Sequence, residues 1–298
     1  MNSLARRAPD PVYRTVLVPL DGTRFADGAV PTARALAARF GATVHTVSVV
    51  ASDFELDRIR SEGARALETD PDDPRIHVEV DTDVAAAVHR RAASLDACLI
   101  CLSTHGRGRL AGTLVGSTAR DIIERARHPV VVAGPLVVHP DLEDHTVTAP
   151  LAVDHLVACV DGTPSSENGL PIAAAWAHAL GMKLTLVTVA EPCPPPVRIG
   201  APWRRHHGPD EDADEYLRRL GGAWALEAPG LDTSVVYDPI GAGSGMRDYL
   251  ADHPAGLVAV TSRLRDPLPH LVFGSGAADI VHASSAPALV IPAGPVAT

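Results

Sequence analysis

The sequence predicts an α/β protein made of two tandem, doubly wound units, each built on a five-stranded parallel sheet. Three observations carry that prediction. The chain repeats itself: Thr15-Val-Leu-Val-Pro-Leu-Asp21-Gly-Thr23 returns as His155-Leu-Val-Ala-Cys-Val-Asp161-Gly-Thr163, an offset of 140 residues. Gly116-Ser-Thr-Ala-Arg-Asp-Ile-Ile123 returns as Gly274-Ser-Gly-Ala-Ala-Asp-Ile-Val281, at an offset of 158. Each copy also alternates short apolar runs with helical patterns, as a parallel sheet covered on both faces requires. Finally, each copy places a polar loop between its fourth apolar run and its last helix.

In the first unit, Val16-Leu-Val-Pro-Leu20 reads as a buried strand. An Ala-rich helix over residues 26–40 follows, with Gly41 where a left-handed cap residue belongs. Residues 43–50 form the second strand and 54–67 the second helix. Arg75-Ile-His-Val-Glu-Val80 alternates as a more exposed strand does. A helix over 84–95 leads to the apolar fourth strand, 97–102. The last helix covers 117–127, and 130–133 closes the unit. The second unit keeps this order, with a helix over 167–180 ending at Gly181 and a fourth strand Gly256-Leu-Val-Ala-Val-Thr261. It holds 18 additional residues between Val189 and Gly274, assigned to the Pro-, His- and acid-rich insertion at 191–214. Residues 134–150 show no steady period and read as the linker, so the domains are taken as 1–140 and 151–298.

The 298 residues carry 26 basic and 36 acidic side chains, a formal charge of −10, which argues against a nucleic-acid-coating surface. No apolar run reaches membrane-spanning length, and Met1-Asn-Ser-Leu-Ala-Arg-Arg lacks the apolar region of a signal peptide. No membrane partner and a cytoplasmic location are therefore expected. Four cysteines do not make a disulfide framework. Cys98 and Cys101 share a strand but face opposite sides of it, which favours core packing over a metal site. His206-His207 with Asp210-Glu-Asp212 reads as a solvated insertion rather than a ligand set. Thr163, Ser165 and Ser166 read as helix-entry residues, not nucleophiles. Gly241-Ala-Gly-Ser-Gly245 lacks the Lys-Ser/Thr of a phosphate-binding P-loop and reads as a flexible strand–helix turn.

In an open parallel sheet, ligands sit beyond the carboxyl ends of the strands, where the strand order reverses. After strand one of the first unit stand Pro19, Asp21, Gly22 and Thr23. After strand four stand Ser103, His105, Gly106 and Arg107, leading to Gly116, Ser117 and Thr118 at a helix start. Strand, glycine loop and helix N-terminus in that order suit an anion, because backbone N–H groups converge and the helix dipole adds positive charge. Gly106, Gly116 and Ser117 would supply N–H and O–H donors. Asp21 has two readings: an acceptor for a ribose or amino group, or the N-cap of the next helix. Arg107 is favoured as a phosphate contact; His105 is either that or an ordinary loop residue.

Val-Pro-Leu-Asp21-Gly-Thr, Asp96-Ala-Cys-Leu-Ile, Thr-His-Gly106-Arg, Gly116-Ser117 and the Pro129-Val-Val-Val ending, in this order, resemble a universal stress protein domain. The resemblance covers nearly the whole chain as a tandem pair and implies an adenine nucleotide α-hydrolase-like fold. Nucleotide-binding members carry G-x2-G-x9-G-[ST] after strand four. By similarity, Asp21 contacts the ribose or adenine end and Val49 and Pro19 line the base pocket. Gly106, Gly116 and Ser117 hold the phosphates. The implied ligand is ATP, with or without Mg2+, and the implied role is a stress-response or signalling module with little or slow hydrolysis. A slow ATPase and a nucleotide-independent scaffold are the alternatives.

The two copies depart unequally from the motif. Ser103 stands at the first glycine position of unit one, a mild change. In unit two the first two positions are Thr261 and Leu264, and Pro267 and Pro269 interrupt the loop. Nucleotide binding is thus expected in unit one and weak or absent in unit two. The last strands, 130–133 and 288–291, need edge cover. The resemblance implies that they pair within the chain as a pseudo-dimer, with a homodimer of chains also compatible.

Overall fold

The computed structural model describes residues 6–104, 116–138, 151–190, 212–264, 271–272 and 275–293. His105, Gly106 and Arg107, residues 139–150 of the linker expected over 134–150 and residues 191–211 of the insertion expected over 191–214 lie outside the described residues.

The first unit runs β1 (Thr15–Leu20), α1 (Arg24–Asp27), α2 (Val30–Phe40), β2 (Thr43–Val50), a 3-10 turn (Asp53–Glu55), α3 (Leu56–Leu67), β3 (Ile76–Val80), α4 (Val84–Ser94), β4 (Cys98–Ser103), α5 (Ser117–Glu124), β5 (Val130–Ala133) and α6 (Pro135–Val138). The second runs β6 (His155–Cys159), α7 (Pro164–Glu167), α8 (Leu170–Leu180), β7 (Lys183–Ala190), α9 (Ala213–Trp224), β8 (Asp232–Tyr237), α10 (Ala242–Asp252), β9 (Leu257–Thr261), a hairpin of β10 (Arg263–Leu264) and β11 (Leu271–Val272), α11 (Ser275–Ala283) and β12 (Ala288–Ile291).

The helix expected over 26–40 is two helices. Thr23 caps the short α1 through its side chain, and α2 starts afresh with proline in its first turn. The same break recurs before α8. Gly41 and Gly181 end α2 and α8 at φ +66° and +65°, the left-handed conformation that glycine adopts without a Cβ penalty. The glycine run 241–245 is no flexible turn. Asp238 accepts the N–H groups of Ile240 (2.7 Å) and Gly241 (2.8 Å), and Ala242 onward is the first turn of α10. A Cβ on Gly243 would lie 3.0 Å from the Asp279 carbonyl oxygen, so this glycine brings α10 onto the backbone of α11.

All ten long strands form one sheet in the order β3-β2-β1-β4-β5-β12-β9-β6-β7-β8. Within each unit they are parallel; at the centre β5 and β12 pair antiparallel, Val132 against Ala288 and Val130 against Val290. That seam joins the two units edge to edge and removes both inner edges. Alternate residues feed two core layers: Val16, Val18 and Cys101 on one face, Leu17, Ile100 and Leu102 on the other. Cys98 packs against the second layer, opposite Cys101, as strand geometry requires. The first face is tied across the units by Tyr13, Phe40 and Trp176, whose ring centroids lie 5.1–5.5 Å apart. Beside them Arg39 donates to the Leu180 and Leu151 carbonyls, both at 3.0 Å.

Candidate functional site

Strand order reverses between β1 and β4, and the carboxyl ends of these strands carry the predicted residues. Pro19 helps to open the crevice. The β1–β4 ladder ends at the Leu17–Ile100 pair, whereas in the second unit it reaches Ala158–Ala259, one repeat position further. Proline has no N–H with which to extend a ladder, and Cys159 stands at its place in the second unit.

Past β1, the Oδ1 atom of Asp21 accepts from the Thr23 N–H (3.0 Å) and the Thr23 hydroxyl (2.6 Å). Thr23 Oγ1 in turn accepts the Ala26 N–H at 3.3 Å. Thr23 is therefore the N-cap of α1, and Asp21 holds the cap in place; the N-cap reading of Asp21 moves two residues along. Gly22 makes the turn at φ +79°, and a Cβ there would sit 2.2 Å from Glu62 Oε2 on α3. Glycine is favoured here by conformation, and a Cβ would also displace the Glu62 carboxylate. Glu62 is itself held by Arg58 through a 2.6 Å ion pair. This wall of the crevice had no signal in the motif. Val49, near the end of β2, is half-buried, pairs with Glu79 of β3 and packs against the second core layer.

At β4, Ser103 is half-buried and pairs with Ala133. The buried Thr104 donates its N–H to the Ala133 carbonyl at 3.1 Å and accepts the Gly116 N–H at 2.8 Å. The two ends of the 105–115 loop are pinned to each other by this bond. The Gly116 N–H, expected as a donor to a ligand, has an acceptor within the protein, the Thr104 carbonyl. Gly116 instead serves as the extended N-cap of α5, and a Cβ on it would lie 3.2 Å from the Thr104 oxygen. Among the described residues no side chain caps α5, and Ser117 and Thr118 in its first turn are exposed. First-turn N–H groups of a helix have no intrahelical acceptor, so this end presents donors and the positive end of the dipole.

The second unit copies the first loop and changes the second. Asp161 Oδ1 accepts from Thr163 N–H (3.1 Å) and hydroxyl (2.6 Å), around Gly162 at φ +76°. Thr163 and Ser166 are helix-entry residues, and Ser166 adds a bond that Ala26 cannot, accepting the Asp161 N–H at 3.2 Å. After β9, Ser262 donates both N–H (2.8 Å) and hydroxyl (3.3 Å) to the Ile291 carbonyl. Arg263 and Leu264 then pair antiparallel with Val272 and Leu271. A β-hairpin begins where unit one has its loop. Thr261 also differs from Ser103 in bulk, and Gly169 stands where Ala29 does in unit one; a Cβ at 169 would be 2.2 Å from Thr261 Oγ1.

Among the described residues Cys98, Cys101 and Cys159 lie in or against the core. Burial pushes the Cys98 and Cys159 thiols up to about 12, and raises Cys101 as well, so none is a thiolate near neutrality. Among the described residues no group of three or more His, Cys, Asp or Glu side chains is placed to hold a metal ion. None of their helices is long and apolar enough to cross a membrane.

Fold and strand order together define a tandem doubly wound α/β protein with a topological switch point in each unit. The chain belongs to the universal stress protein family, whose model matches residues 12–134 and 152–292. It is 26% identical over 285 residues to Universal stress protein Rv2624c of Mycobacterium tuberculosis, covering 89% of this chain and 94% of that one. Universal stress protein Rv2005c of the same species is 32% identical over 140 residues, 42% of this chain and 47% of that one. Among solved structures, a universal stress protein from Archaeoglobus fulgidus aligns with a TM-score of 0.58 at 16% identity, over 94% of this chain and 98% of that chain. That likeness is one of fold.

Proposed function

We propose that this universal stress protein is a nucleotide-binding regulatory module whose first unit takes the ligand, ATP in the first instance. The observation that carries the reading is the pairing of two preformed elements across one crevice. The Asp21-Gly22-Thr23 turn is already held at β1, and the uncapped first turn of α5 faces the same end of the sheet beyond β4. A turn that presents a carboxylate and a helix start that presents N–H and hydroxyl donors fit the two ends of a nucleotide, sugar or base and phosphates. Asp21 would accept from the nucleoside, with Pro19 and Val49 beside the base, and Ser117 and Thr118 would face the phosphates. Regulation rather than fast turnover is favoured, since phosphoryl transfer relies on several positioned charges; Arg107 and His105 are the residues of the motif able to supply them.

The test is nucleotide released from the purified chain on denaturation, together with titration calorimetry of the full-length protein with ATP. Co-purified adenine nucleotide, or a stoichiometry of one per chain, is expected. Neither bound nucleotide nor any heat with millimolar ATP would leave the scaffold reading in its place. Multiple-turnover ADP release that disappears in Asp21→Ala would favour the slow-ATPase reading instead.

A further inference from the structure

The hairpin β10–β11 belongs to the second unit in sequence, yet β11 packs beside α5 of the first. Its base is fixed by the two bonds from Ser262 to the Ile291 carbonyl at the end of β12. β12 is paired with β5, the strand into which α5 leads, so the hairpin hangs over the seam between the units. From the other side α5 is held by α4: His89 Nε2–H donates to the Ile122 carbonyl at 2.9 Å, and Arg125 just after the helix pairs with Asp83 at 2.7 Å. The counterpart helix α11 is held differently, by the backbone approach that Gly243 allows. Hence α5 is fastened by side-chain bonds on one flank and by a segment of the other unit beyond it.

We infer that the second unit serves the ligand site of the first: the hairpin braces α5 and so sets where Ser117 and Thr118 present their donors. This rests on the nucleotide reading of the first unit for its ligand and on packing alone for the brace. It gives the diverged loop a task. Conversion of a glycine loop into a hairpin removes phosphate-facing backbone from unit two and builds a support for the phosphate end of unit one. The contribution falls on the phosphates, because the element of the first unit that β11 packs beside is α5, whose first turn carries Ser117 and Thr118.

The test uses the full chain with Leu264→Pro and Leu271→Pro together, which removes N–H groups from the two-residue ladder. If that variant loses its circular dichroism signal, Leu264→Gly with Leu271→Gly replaces it. Hydrogen exchange of residues 117–124 is measured without ligand, and affinities for ATP and adenosine by calorimetry. Faster exchange in α5 is expected, with ATP binding weakened about tenfold, an ordinary coupling between sites, and adenosine binding unchanged. Unchanged exchange in α5, or equal losses for ATP and adenosine, would overturn the brace. A wild-type chain that binds neither compound would overturn the nucleotide reading and the phosphate role with it, and the exchange rates would then decide the brace alone.

Discussion

The turn after β1 and the turn after β6 are near copies, while the segments after β4 and β9 have parted. Asp21 and Asp161 each hold a threonine N-cap through one oxygen at 2.6 Å, around a glycine with φ near +80°. Such a turn is closed by atoms within three residues, so the same three residues build it twice. The segments after the fourth strands are closed by bonds between residues further apart. In unit one Thr104 and Gly116 bond across the loop, and in unit two a ladder between residues 263–264 and 271–272 does so instead.

The comparison can be broken most decisively at the α5 start. Gly116→Val places its side chain against the Thr104 oxygen, and overpacking of about 1–3 kcal/mol predicts a ten- to hundredfold loss of ATP affinity by calorimetry. Gly274→Val should leave affinity unchanged; equal losses would show that both units bind. Next in size, Gly22→Ala combines a left-handed φ with a contact at 2.2 Å to Glu62. A destabilisation of about 2 kcal/mol is expected in chemical denaturation, partly relieved by adding Glu62→Ala. No relief would mean that backbone strain alone sets the requirement for glycine.

A pH prediction separates the units through another pair. His45 and His77 stack on β2 and β3 with Nδ1 and Nε2 3.0 Å apart. Burial, followed by Arg91 and by the partner ring, holds His77 down at about 4, and burial with Arg75 lowers His45, against the weaker pull of Glu79 and Asp73. The fold keeps these rings neutral while the unfolded chain protonates them near the ordinary value of 6.5. Their contribution is therefore complete above that value and lost progressively as pH falls from there toward about 4. Thr185 stands at the repeat position of His45 and sits 2.9 Å from His155 Nε2. Denaturation midpoints of wild type and His77→Gln should converge on acidification; parallel curves would remove the pair from the acid response. The smallest effect is a symmetric one: Thr23→Ala and Thr163→Ala should each cost about 1 kcal/mol, and by the same amount within error if the two turns are equivalent.

Much of this was legible in the residues. The repeat set the number of strands, Gly41 and Gly181 marked helix ends, and β5 came out at the residues expected from its apolar run. The candidate crevice was legible as far as strand ends could place it. Glu62 was not, because its part depends on α3 crossing over Gly22, forty residues away in sequence. Nor was the acceptor of the Gly116 N–H, since a motif records residue types and not which carbonyl comes within 2.8 Å. Gly243 and Gly245 misled: their number suggested flexibility, whereas they admit close contacts with Asp279 and Val189.

By itself the sequence determined two α/β units and the two Asp-Gly-Thr turns, all features written in periodicity or in hydrogen bonds between near neighbours. Only the tertiary structure decided which N–H groups at the crevice already have acceptors. It also decided that the diverged loop of unit two is a hairpin lying beside α5 of unit one. The second of these hangs on contacts between segments more than a hundred residues apart. Such contacts depend on how the β5–β12 seam sets one sheet against the other, and no local pattern encodes that.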